Sequence, residues 1–320
     1  IKKICAESKE LAYEKKGLLV IDSIQNKATM KENAKLLRSM NVAVKYLEED
    51  EINSIHPFVV VKDSCAVLDE DAGYVNPKLM IDYLKNECLR HGVKILEHTE
   101  VVNITQEKNG FYVETNTSNF TVDKICNATA AYTNKISGML GFKLPIKVIK
   151  INNCFYRLPT GPNKYLVAIA DFKNLFYSIP HKEFADVSSI VLDLKNAIHP
   201  GTSGEFTHDT HTISDYLQDL SKRIESAQSA TSLGGFGSCI DVSPDYYPIL
   251  SSIDEISNYY CATGFSGTGF KHFPMIGKLM AEIMLEKEYT YPDLVEFFRY
   301  DRFKKQELRK GVSDSYFIKE

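Results

Sequence analysis

The sequence predicts a mixed α/β protein, and three stretches carry that reading. Asn76-Pro77 opens the clearest helix, a meander of short strands with an Asn109-Gly110 turn follows, and late in the chain a strand runs into a glycine-rich loop and another helix. With 320 residues, 44% of them hydrophobic and 25% charged, the chain can form one large domain or two interleaved ones, and it is neither disordered nor a coiled coil. Its 38 basic and 42 acidic residues leave a net charge of −4, so composition gives no case for nucleic acid or an anionic membrane as a partner. A small ligand is expected. The apolar runs at 17–21 and 57–61 are only strand-length, short of the ~18 residues of a membrane helix, so no membrane span is expected. Seven cysteines, at 5, 65, 88, 126, 154, 239 and 261, are odd in number, scattered and without a CxxC pair. That argues against a disulfide framework or a structural metal and for a reducing, cytoplasmic setting.

The opening residues read as a helix, 18–21 as a strand, and 30–40 as a helix feeding a strand at 42–47. Glu48-Glu49-Asp50-Glu51 is a solvated helix start with no chemical role, acidic where the helix dipole favours it. In the helix from Asn76, the asparagine is the N-cap and Pro77 the first helical residue. Leu79, Met80, Tyr83, Leu84 and Cys88 form a stripe expected to be buried, and Gly92 supplies the stop. Residues 93–96 read as a strand. Asn109-Gly110 joins strands at 101–104 and 111–115, and a third strand is expected over 120–126. From 143 to 190 the chain alternates and is strand-rich, and a polar helix is expected over 212–229. Gly234-Gly235-Phe236-Gly237 marks the next change, and a turn falls at Ser243-Pro244-Asp245. No repeat or linker is visible, so interleaved domains are expected.

The densest chemistry lies where the strand 259–263 enters Gly264-Phe265-Ser266-Gly267-Thr268-Gly269-Phe270, with a helix expected from near Pro274 to Met284. Glycines allow close backbone approach, and unpaired N–H groups with the helix dipole favour negative charge. The order fits neither common nucleotide pattern: His272 stands where the third glycine of GxGxxG would fall, and there is no GK[ST]. Lys271 follows the loop directly.

These residues resemble a family, the flavin-dependent amino-acid oxidases of the D-amino-acid oxidase type, and within it the monomeric sarcosine oxidase and fructosyl-amino-acid oxidase group. The likeness rests on the order of several stretches: DAGYVNPKLMIDYLKNECLRHGVKILEHTEV (71–101), NATAAYT (127–133), LGFKLPI (140–146), DVSPDYYPIL (241–250) and YCATGFSGTGFKHFPMIGKLMAE (260–282). It runs from about Lys3 to Phe303. The resemblance implies FAD as cofactor and a Rossmann-like FAD-binding domain, at 69–138 and 230–320, interleaved with a mixed-sheet substrate domain at 1–68 and 139–229. One departure stands out: the GxGxxG strand and helix that open the family have no counterpart here. The chain is therefore expected to be an N-terminally truncated copy that holds FAD weakly or not at all.

Roles follow from the resemblance. Gly264, Gly267, Thr268, Gly269 and Phe270 would bring backbone N–H groups to the flavin pyrimidine edge, where negative charge develops on reduction, a job for fixed dipoles. Lys271 would hold the substrate carboxylate. Val101 matches a position whose backbone meets the adenine, while Ala128 and Ala130 belong to a small-residue segment beside the dinucleotide, with Ala130 replacing the usual glycine. Tyr177 matches an aromatic that lines the substrate cavity. Cys239 precedes the 243–245 turn as a covalent flavin cysteine does in some relatives, although reversible binding is the preferred reading. The lysine that oxidases use toward oxygen falls near Ser188, where only Lys182 or Lys195 could substitute. The implied function is FAD-dependent oxidation of the C–N bond of an amino acid or N-alkyl amino acid to an imine, with oxygen or another electron acceptor. The alternative is a non-catalytic remnant or partner subunit that does not hold FAD.

Overall fold

The computed structural model describes residues 1–8, 11–159, 167–181, 184–189, 197–199 and 211–309; Lys182 and Lys195 lie outside the described residues. The chain opens with α1 (Lys2–Glu7), β1 (Glu14–Lys15), β2 (Leu18–Ser23), α2 (Lys27–Ser39), β3 (Val44–Leu47) and α3 (Glu49–Ile55). The acidic run starts α3 as expected: Glu48 and Glu51 form a reciprocal capping box, and Lys27 and Lys31 pair with the Glu48 carboxylate. β4 (Ser64–Asp69) and β5 (Gly73–Tyr74) lead to α4 (Pro77–Arg90). There the Asn76 side chain accepts hydrogen bonds from the N–H groups of Lys78 and Leu79. The stripe expected to be buried on α4 is only partly so. Met80 is buried and Tyr83 and Leu84 pack beside Cys5 of α1, whereas Leu79 and Cys88 are exposed. Residues 93–96 form no strand, because no neighbour among the described residues shares a backbone ladder with them.

β6 (Val101–Glu107), β7 (Gly110–Thr115) and β8 (Asn119–Val122) make the expected meander. The third predicted strand is really two: the chain breaks at Asp123-Lys124, and β9 (Ile125–Asn127) joins a different sheet. After α5 (Thr133–Met139) come β10 (Lys147–Arg157), β11 (Ala168–Asp171), β12 (Phe176–Pro180), β13 (Ala185–Ser189) and β14 (Ala197–Ile198). The helix expected over 212–229 is α6 (His211–Ser221) followed by a 3-10 turn at Glu225–Ser229. The glycines at 234–237 end no element. They lie inside β15 (Thr231–Val242), where Gly234 takes φ 90° and the ladder with β10 shifts register between Cys154 and Tyr156, a bulge that glycine permits. β16 (Ile249–Ser252), β17 (Tyr259–Thr263), α7 (Gly269–Met284), α8 (Pro292–Phe297) and α9 (Asp301–Lys304) complete the described chain. α7 begins at Gly269, not near Pro274, so the proline lies inside the helix. The rule that puts proline at the first helical position fails because the residues before it already turn helically.

A nine-stranded sheet runs in the order β15, β10, β13, β12, β11, β2, β4, β3, with β14 following β13 along the same edge of β10. One face packs Leu19, Ile21, Tyr156, Phe176 and Val187 against Leu217 and Leu220 of α6. At the β2–β4 end of the other face, α2 lays Met30 and Ala34 on Val20 and Val67. The Arg223 guanidinium, 3% exposed, donates to both oxygens of the buried Asp171 and to the Val60 carbonyl, which ties the chain beyond α6 to the end of β11.

A smaller sheet, β16–β17–β9, is the middle of a second stack. Leu250, Tyr260 and Ala262 face Leu279, Met280 and Ile283 of α7, while Ile249, Tyr259 and Cys261 face Ile104, Phe111 and Val113 of the meander. β9 runs parallel to β17, the Asn127 amide donates to the Tyr259 hydroxyl at 2.8 Å, and the Thr133 and Thr263 hydroxyls meet at 2.7 Å. Segments far apart in sequence, around β9 and the meander on one side and β16, β17 and α7 on the other, are thus packed together.

Candidate functional site

β17 is buried along its whole length and delivers the chain at Thr263 to the outer edge of β15. There the buried Asp241 carboxylate accepts from the Thr263 hydroxyl at 3.0 Å and from the N–H groups of Gly264 and Phe265. Burial still raises its pKa above the ordinary value, although these donors pull the other way. The N–H of Ser266 bonds the Asp241 carbonyl at 2.9 Å. Gly264 is at φ 72°, and a Cβ there would lie 2.8 Å from Ile146 Cδ1, so glycine is needed both for the turn and for the close approach. The Thr268 hydroxyl is spent on the Phe265 carbonyl at 2.7 Å and makes no cap bond to α7. The first N–H groups of α7, at Gly269, Phe270 and Lys271, therefore have neither a helical partner nor a side-chain cap, and the positive end of the helix dipole is open.

Lys271 is the third residue of α7. Its side chain is exposed to solvent, yet the protein around it lowers its pKa, with no carboxylate among the described residues to offset the effect. Burial and the Lys271 charge also lower the pKa of His272, whose ring bonds the Thr268 carbonyl.

On the far side of β17, Asn127 shapes the turn after β9 by accepting from the N–H and hydroxyl of Thr129. Ala128, Thr129 and Ala130 beyond it are exposed, and Ala130 takes φ 47°. A left-handed conformation costs an L-residue ~1–2 kcal/mol, partly offset on substitution by the freer unfolded state of glycine. Ala130→Gly is thus expected to raise stability by up to about 1 kcal/mol. A urea midpoint below that of the parent would contradict this. Val101, at the start of β6, pairs with Thr115 and packs into the meander core, apart from the loop. Cys239, half-buried, lies two residues before Asp241, and strand alternation puts it on the face opposite Ile240. Ile240 Cδ1 is the atom nearest to where a Gly267 Cβ would stand, at 3.9 Å.

Ile240 leads to the second part of the site. Along β15, Ser238 and Phe236 share its face, and Phe236 is opposite Asn153 of β10, roughly 13 Å from Ile240. Asn153 is opposite Ser188 of β13, and Ser188 is opposite Tyr177 of β12, so one row crosses the face that α6 does not cover. Asp186 follows on the same face, opposite Phe155. The Asn153 amide reaches Asp186 Oδ1 at 3.1 Å and the Tyr177 hydroxyl at 3.4 Å. Tyr177 thus lies beside Asn153 and Ser188, with its pKa raised by burial and by Asp186. The sequence did not single out Asp186 or Asn153, because isolated polar residues in an alternating strand read as its solvent side.

Burial pushes the Asp186 pKa up to about 6 despite the Asn153 bond. An acid whose pKa rises on folding contributes stability that is complete below its unfolded value and lost as pH climbs through the folded one. Asp186→Asn is therefore expected to flatten the stability profile between about pH 4 and 6 and to raise stability at pH 7 by up to ~3 kcal/mol. An unchanged profile would show that the carboxylate is solvated.

The described residues thus hold an uncapped helix start behind a glycine loop, a lysine in its first turn and, along the sheet that β15 joins, a polar row. A family model described as "FAD dependent oxidoreductase" (DAO) matches residues 1–283. The chain belongs to this family of FAD-dependent oxidoreductases. It is 23% identical over 292 residues to monomeric sarcosine oxidase of Bacillus sp., covering 87% of this chain and 73% of the relative. Against human peroxisomal sarcosine oxidase it is 22% identical over 312 residues, covering 91% and 76%. Among solved structures, L-proline dehydrogenase of P. horikoshii superposes with a TM-score of 0.84 at 24% identity, over 96% of this chain and 81% of that one. Glycine oxidase of Geobacillus kaustophilus gives 0.79 at 19% identity, over 94% and 80%. These two show the fold. The residues present fit the flavin end of FAD: the N–H groups of Gly269, Phe270 and Lys271 carry no side-chain cap, Gly267 at φ 81° keeps the loop backbone free of a side chain beside Ile240, and the residues at 128–130 are exposed, two of them alanines.

Proposed function

We propose that this protein oxidises the C–N bond of an amino acid or N-alkyl amino acid to an imine, which water then hydrolyses. FAD, when bound, supplies the hydride acceptor. The observation that carries the reading is Lys271, a solvent-facing cation in the first turn of α7, beside its uncapped start, with no carboxylate among the described residues to neutralise it. Its ammonium is suited to hold the substrate carboxylate, and the loop N–H groups to stabilise negative charge at the cofactor edge. Tyr177 would form part of the cavity wall, keeping water from the reacting carbon. The names of the relatives, sarcosine and glycine oxidases and a proline dehydrogenase, each specify an amino acid, which supports the substrate class.

In this reading the flavin side is 69–138 with 230–320 and the substrate side 1–68 with 139–229, and β15 is the strand that joins them, since it pairs with β10 and bridges to Phe265. Cofactor roles are proposed for Val101, Ala128, Ala130 and the loop from Gly264 to Phe270. Binding is proposed to be reversible, since Cys239 lies opposite the face that Ile240 turns to the loop. An acceptor other than oxygen is favoured by Ser188, a buried hydroxyl bonded to the Asn152 carbonyl where the oxidases' lysine is expected. No described helix is long and apolar enough to cross a membrane, no disulfide joins the cysteines, and a cytoplasmic location is proposed. The test is anaerobic addition of amino acids to the flavin-loaded protein. Bleaching of the visible flavin absorbance supports the reading, and flavin that is held yet unbleached by any amino acid overturns it.

A further inference from the structure

Asp186 has an unusual setting for a carboxylate. It is part-buried, and among the described residues its one hydrogen-bond donor is the neutral Asn153 amide and no cation is within ion-pair distance. Its surroundings are aromatic. Phe155, directly opposite on β10, packs edge-on against Phe184 at 5.4 Å and beside Phe236 at 5.8 Å. His181 stacks on Phe184 at 4.5 Å, and Tyr74 meets His181 edge-on at 4.9 Å, with its phenol close enough to feel the Asp186 charge. Burial lowers the His181 pKa, so at neutral pH that ring is uncharged and gives Asp186 no counterion. A carboxylate set among aromatic rings is matched by an alkylammonium: the charge pairs with the acid, and the methylenes lie on ring faces that also attract cations.

The amine that is oxidised is a poor occupant. A carboxylate paired with it would hold it as an ammonium, whose nitrogen has no lone pair to assist hydride loss from the neighbouring carbon. We propose that Asp186, backed by Asn153 and walled by Phe155, Phe184 and Tyr74, is the subsite for a second, non-reacting cation, so that the preferred substrates are amino acids with a basic side chain. This rests on the reading of Lys271 as the carboxylate anchor.

The test uses ligands that cannot be oxidised at an α-amine: ε-aminocaproate, which carries a carboxylate and a distal ammonium, and caproate, which lacks the ammonium. Calorimetric titration of the flavin-loaded protein is expected to show ε-aminocaproate binding at least about 30-fold more tightly, and Asp186→Asn is expected to abolish that ratio. The ratio of kcat/KM for lysine over norleucine should collapse in the same variant, whose melting temperature at pH 7 should be no lower than the parent's. Equal binding of the two acids by the parent, or a preference that survives Asp186→Asn, overturns the proposal. A preference for ε-aminocaproate with no amino acid oxidised would leave this subsite standing and remove the oxidation reading instead.

Discussion

Replacing Lys271 with methionine is expected to lower kcat/KM for amino-acid substrates by roughly 30-fold to several-thousand-fold, while leaving the fold and flavin uptake nearly unchanged. A substrate carboxylate in a largely protein-walled cleft needs a cation, and breaking a desolvated charge pair typically costs ~2–5 kcal/mol. Methionine keeps the length and volume of the lysine stem, so packing around the first turn of α7 is preserved. The depressed lysine pKa adds a check on sign. Carboxylate binding requires the ammonium, so affinity for a carboxylate ligand should fall as pH rises through a pKa that lies below the ordinary lysine value of 10.5. The same titration in Lys271→Met should show no such fall. An unchanged kcat/KM in that variant would mean that another group holds the carboxylate.

The largest stability effect is expected at Asp245. Its carboxylate takes the Nε and Nη2 of Arg302 at 2.7 and 3.0 Å, and the same guanidinium donates to the carbonyls of Phe298, Arg299, Tyr247 and Pro248. Arg302 is 1% exposed and Asp245 4%, so each charge depends on the other for solvation. Removing one partner leaves the other buried and uncompensated, at a typical cost of about 3–5 kcal/mol. Arg302→Met should therefore lower the unfolding free energy from denaturant titration by that amount, and a loss under ~1 kcal/mol would show that water replaces the guanidinium. Burial pushes the Asp245 carboxyl upward, but the Arg302 pair outweighs it and holds the pKa below the ordinary 3.8. The pair's contribution is thus complete above about pH 4 and lost as the pH falls through the lowered value. Because the turn at 243–247 leads into β16 beside α7, loss of the pair should loosen the C-terminal stack before the large sheet.

Where local chemistry dictates local structure, the sequence was readable. The Asn76 cap, the Glu48–Glu51 box and the Asn109-Gly110 hairpin each act within a few residues, and each is present in the folded chain. The glycine loop was legible for the same reason, since positive φ at Gly264 and Gly267 is a local demand. The misreadings share a different cause. Whether 93–96 becomes a strand depends on a partner strand, and whether 120–126 is one strand or two depends on which sheets the two halves join. Gly234 looked like punctuation because a bulge inside a long ladder and the end of a strand use the same residue. The row from Phe236 through Asn153 and Ser188 to Tyr177 assembles from four strands spread over sixty residues and more, so only the register reveals that its members are neighbours.

Pro274 also bears on how α7 can move. A proline has no N–H, so the Phe270 carbonyl, four residues earlier, loses its regular helical donor. Helix carbonyls point toward the C-terminus, so this gap lies on the side of the first turn and the N-terminal end itself carries only donors. A ladder with one rung missing bends most easily at that rung, so the first turn of α7 can tilt against the rest of the helix without breaking a further bond.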